Sequence, residues 1–129
     1  MRLSVASIAV LAISALEAAA AADCWAPAST VTARFGPLKD LRTDARLFCN
    51  IFSSNVTGTL HAGGRYNFGY QSAAFIGNFA NYTSCIDTFN TIVTDCYGAG
   101  STSPTMLGGI MADEGGGALA ISFGDGIKI

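Results

Sequence analysis

Between residues 65 and 71 the chain reads Arg65-Tyr66-Asn67-Phe68-Gly69-Tyr70-Gln71, a segment in which polar and aromatic side chains alternate. Strand spacing puts Arg65, Asn67 and Gln71 toward one face and Tyr66, Phe68 and Tyr70 toward the other. Guanidinium and carboxamide groups read neighbouring hydroxyls in pairs, and a tyrosine ring offers a flat apolar surface. Those are the two things a sugar asks of a protein. The expected site is therefore the polar row, with Tyr70 at a strand end turned toward the ligand. His61 and Asp113 lie near expected hairpin turns, where loops could bring them to the same ligand. The competing reading makes the aromatic row core and leaves the polar row simply solvated. Trp25, the sole tryptophan, adjoins Cys24 and is expected to pack on a disulfide rather than stack on a ligand.

Hydrolysis would need a proton donor and acceptor held together. His61, the only histidine, could join Glu114 and Arg65 in a ribonuclease-like trio, and Asp113, Glu114 or Asp125 could supply a glycosidase pair by residue type. Asp113-Glu114, however, opens a Gly-rich segment that reads first as a solvated turn. Gly115-Gly116-Gly117 lacks the lysine and following helix of a phosphate loop. No cysteine pair has CxxC spacing, and no dense Asp/Asn loop could hold calcium. The expectation is a binding protein, not an enzyme, with no cofactor and no metal.

The chain has 129 residues, 12% charged, with a formal net charge of −2. That length suits one domain, and that charge lacks the basic footprint of a nucleic-acid binder. Met1-Arg2-Leu3, the apolar run from Val5 to Leu16 and the alanines before Asp23 have the three parts of a secretory leader. The run is too short to span a membrane stably, so no membrane insertion is expected. Residues 1–22 are thus expected to be a signal peptide and 23–129 a single secreted domain. Cys24, Cys49, Cys85 and Cys96 all fall in that domain, an even count that reads as two disulfides in an oxidising compartment. Asn55-Val56-Thr57 and Asn81-Tyr82-Thr83 are N-glycan acceptor sequences.

The elements that must position these residues are legible from the apolar period. Leu38, Leu41, Ala45, Phe48 and Phe52 form a helical stripe over 37–52, with Lys39, Arg42 and Arg46 on the opposite, solvated face. Cys85, Ile86, Phe89, Ile92, Val93 and Cys96 predict a second helix over 85–97, capped by Ser84 and stopped at Gly98. Within such a helix Cys85 and Cys96 stand about 16 Å apart, whereas a disulfide needs Cα atoms within roughly 7 Å. They cannot pair with each other. Each must reach Cys24 or Cys49, with the choice left open.

Val56 to His61 and Arg65 to Gln71 are expected to form one hairpin around an Ala62-Gly63-Gly64 turn. Met106 to Ala112 and Ala118 to Phe123 are expected to form another. In the last strand Leu119, Ile121 and Phe123 face one way, and the small Ala118, Ala120 and Ser122 face the other. The expected fold is α+β, an antiparallel four-stranded sheet with helices packed on its faces in an α-β-α sandwich.

The stretch Thr83 to Gly98 with its paired cysteines resembles small secreted fungal proteins of the mushroom Y-three type. Asp23-Cys24-Trp25 and the Gly-rich hairpin ending Ala120-Ile121-Ser122-Phe123 fit the same group. The resemblance implies an α-β-α sandwich that binds glycans without changing them. It supplies no short binding motif, so the site residues stand on their chemistry alone. The glycans of glycoproteins or glycolipids would be the partners, and a homodimer would multiply weak sites. The alternatives are a small secreted hydrolase and a membrane-active toxin whose apolar segment would be Leu107 to Ile129.

Overall fold

The structure, a computed structural model, describes residues 21–30, 32–53, 63–101 and 103–125. The expected leader up to residue 20, the expected strand Val56–His61, His61 itself and Asn55 lie outside the described residues. In chain order the elements are β1 (Asp23–Pro27), a short 3-10 turn, α1 (Leu38–Phe52), β2 (Gly63–Phe68), β3 (Gln71–Ile76), α2 (Tyr82–Ile92), β4 (Met106–Ala112) and β5 (Ala118–Ser122). A single π-helical turn, Val93–Tyr97, extends α2. The fold is α+β, as expected.

The sheet has five strands rather than four, in the order β1-β4-β5-β3-β2, every pair antiparallel. Two of the five strands are unexpected: β3, and β1 at one edge. The sequence of β1, Asp23-Cys24-Trp25-Ala26-Pro27, is short and ends in proline, which an edge strand tolerates because one side needs no ladder donor. A second difference concerns 65–71, which is a hairpin and not one strand. Phe68 pairs with Gln71 across a two-residue turn, and Gly69 takes φ 59° at its first position. Glycine there is the signature of a type II′ hairpin. Gly63 and Gly64, expected in a turn, pair instead with Ile76 and Phe75.

Registers carry each cross-strand row right across the sheet. Cys24, Gly109, Ile121, Ala73 and Tyr66 form one row of the inner face. A Cβ on Gly109 would meet Cys96 and Ile92, so α2 lies directly over that row. On the same face Phe48 of α1 is fully buried and touches Phe52, Phe68, Phe75, Phe79 and Phe89 at ring separations of 4.9–6.3 Å. Both described helices therefore pack on one face. The expected helical layer on the second face has no counterpart among the described residues.

The disulfides obey the exclusion drawn from helix length. Cys24 joins Cys96, tying the edge strand to the π turn, and Cys49 joins Cys85, tying α1 to α2. Ser84 is not the cap of α2. Asn81 holds that position, its side chain accepting from Ser84 N at 2.7 Å, and the Ser84 hydroxyl turns to Asp113.

Candidate functional site

The β2–β3 turn comes down beside α1 and leaves a groove of about 430 Å³ between them. Its turn side carries Gly69, Tyr70 and Gln71, and its helix side carries Asp40, Thr43, Asp44 and Leu47. The last four recur at three- and four-residue steps, so a single stripe of α1 faces the groove. Tyr70 is 42% exposed. Arg34 sits 4.8 Å from its ring centroid and is bridged to Asp125 at 2.7 Å. This ion pair is well exposed, so it orients the guanidinium more than it stabilises the fold.

At the back of the groove Gln71 Nε2 donates to Asp44 Oδ2 at 2.9 Å, and both side chains are buried. The Gln71 carboxamide lies against Gly36, where any Cβ would collide with it. Burial pushes the Asp44 carboxyl up to about 6, the negative Asp40 adds to that, and the bond from Gln71 opposes both. The groove thus combines a half-exposed ring, a hydroxyl, an exposed carboxylate and a buried carboxyl that changes charge in mildly acidic solution.

A larger open cleft of about 720 Å³ separates the start of α2 from the β4–β5 turn. Asn81, Thr83, Asp87, Thr91, Met111 and Glu114 line it, with Asp113 among them. Asp113 is 4% exposed and accepts from Ala80 N, Gly115 N, Thr88 Oγ1 and Ser84 Oγ. Burial alone would raise its carboxyl, but these four bonds outweigh it and hold the group below its usual range. Asp113 is the knot fastening α2 to the β4–β5 turn. No aromatic ring lines the cleft, so it lacks a stacking surface.

The six residues read as a site from sequence are therefore dispersed. Tyr70 and Gln71 meet in the groove, although Gln71 acts there through Asp44. Arg65 and Asn67 are exposed on the other face of the sheet, in register with Ala74 and Ser72. Asp113 lies in the second cleft, and His61 is outside the described residues. Trp25 also faces away from the helices, packed over Gly108 and not on the disulfide. Sequence reasoning did not single out Asp40, Thr43 and Asp44. The signal available was Asp44, an acid inside the apolar stripe between Leu41 and Ala45.

Among the described residues no three metal-binding side chains converge, and no helix is long and apolar enough to cross a membrane. A scan against family models and a search of curated proteins both find no match for the chain.

Proposed function

We propose that the protein is a secreted glycan-binding protein that holds its ligand without chemical change, in the groove between α1 and the β2–β3 turn. The observation that carries this reading is the half-exposed Tyr70 ring beside Asp40, Thr43 and Asp44 in one groove. A pyranose would lay its C–H face on the ring and direct its hydroxyls to the carboxylate and hydroxyl groups of α1. The two disulfides are compatible with an extracellular protein, and the resemblance to Y-three type mushroom proteins points the same way.

A glycan array, run with and without EDTA, tests the reading. Selective binding to a related set of glycans, unchanged by EDTA, is the expected result. Tyr70→Ala should then weaken binding by roughly tenfold or more, the loss of one stacked ring. Arg65→Ala, on the opposite face, should leave it unchanged. A blank array with folded protein sinks the proposal. Equal loss in both variants would remove the groove as its location.

A further inference from the structure

We propose that Asn81 is a covalent modification site, its side-chain amide carrying an N-linked glycan at the mouth of the cleft beside α2. The proposal rests on the secreted reading above, because this modification is made on chains that enter the secretory pathway. Asn81-Tyr82-Thr83 is the acceptor sequence, with no proline at its centre. So short a motif recurs by chance. The surroundings of its three residues decide whether the folded chain can carry a sugar there.

Asn81, Tyr82 and Thr83 are all exposed, where the loop after β3 enters the first turn of α2. The Asn81 carboxamide uses only one of its two ends. Ser84 N donates to Oδ1 at 2.7 Å and so caps the helix. A backbone N–H can only donate, so the atom it meets is the carbonyl oxygen, and Nδ2 is the other end. Among the described residues Nδ2 has no hydrogen-bond partner. Glycosylation acts on that atom alone. Nδ2 bonds to C1 of the sugar as the bond from C1 to a lipid-linked diphosphate breaks. The lipid diphosphate leaves, and one of the two Nδ2 protons is released. The product keeps one N–H and the whole carbonyl group, so the cap on α2 survives. One side chain thus serves as helix cap and glycan acceptor through different atoms.

The fold also leaves room for the sugar. Asn81 and Thr83 line the open cleft of about 720 Å³, with Asp87, Thr91 and Glu114 beyond them. Their hydroxyl and carboxylate groups can meet the hydroxyls of an attached glycan. No residue lines both this cleft and the groove at Tyr70. The larger cleft is on this account the seat of the chain's own glycan and not a second ligand site.

Intact mass of protein secreted by a yeast carrying the full sequence, measured before and after treatment with peptide-N-glycosidase, tests the proposal. Thr57→Ala removes the other acceptor sequence, and this variant should lose the mass of one N-glycan on treatment. Thr57→Ala with Thr83→Ala should lose none, although Asn81 and its cap are untouched. Thr57→Ala with Thr83→Ser should lose one again. Should Thr57→Ala not reach the medium, peptides of the unaltered protein, deglycosylated in isotope-labelled water, report Asn81 directly as labelled aspartate. Secreted Thr57→Ala whose mass the enzyme does not change overturns the proposal and leaves the secreted reading standing. A glycan that survives Thr83→Ala in that background overturns it as well. Unaltered protein that never leaves the cell removes the secreted reading and this proposal with it.

Discussion

Two buried carboxyl groups respond to their surroundings in opposite directions, and solution pH separates them. Asp44 has been pushed up to about 6 by burial and by Asp40. Between about pH 4 and pH 6 the folded protein therefore binds more protons at Asp44 than the unfolded chain does, and stability falls as pH rises through that window. Asp44→Asn should flatten this decline and raise stability at pH 7 by on the order of 1 kcal/mol, measured by urea unfolding at pH 4, 5, 6 and 7. Asp113 is held below its usual range by four bonds. Its contribution is complete above the unfolded carboxyl value and is lost as pH falls. Asp113→Ala strands buried donors from three segments, so it should cost about 2–4 kcal/mol at pH 7 and steepen no transition above pH 5. The same urea series checks both changes. Parallel pH profiles for the two variants would refute the assignment of opposite roles.

At the scale of elements, the start of α2 shows how far local sequence carries and where it stops. Ser84 and Asn81 are both good cap residues three positions apart, and either could begin the helix. The competition is decided by Asp113, distant in sequence, which recruits the Ser84 hydroxyl and leaves the cap to Asn81. Asn81→Ala should cost about 1 kcal/mol, read from the denaturation midpoint. Both helices were legible because their apolar stripes repeat, and the β4–β5 hairpin was legible because a Gly-rich turn separates two alternating runs. The β2–β3 turn was harder. Alternation continues through Gly69, and only the glycine marks the reversal. Its consequence reached the site. Once the chain turns back there, Gln71 no longer shares a face with Arg65 and Asn67. It joins side chains of α1 instead, a helix that periodicity could place but not orient. Strand β1 gave too little pattern in five residues to be recognised.

At the largest scale, the described residues form one helical layer on a five-stranded sheet, with the groove at one flank of the helical layer and the small-residue face behind. Stability is shared between the layer contact and the two bridges. In the loop-entropy account the wider bridge, Cys24–Cys96 with its separation of 72 residues, contributes more than Cys49–Cys85 with 36, by about 0.6 kcal/mol.

The bridges are nested, one inside the other along the chain, and this gives a backbone cut a different fate according to where it falls. A nick between Cys49 and Cys85 leaves Cys24 and Cys49 on one fragment and their mates, Cys96 and Cys85, on the other. Two covalent staples still hold the halves, and the molecule survives as a two-chain protein. A nick after Cys96 has no such protection. It releases everything from β4 onward to whatever the sheet ladders can retain, and β4 and β5 are the strands that hold the rest of the sheet together. Limited digestion, followed by electrophoresis with and without reductant, should show an intact non-reduced band that splits on reduction for cuts of the first kind. Cuts of the second kind should yield separate pieces under both conditions. A chain wired in this way can be opened in its middle by a protease and keep its shape, while its last quarter must stay uncut.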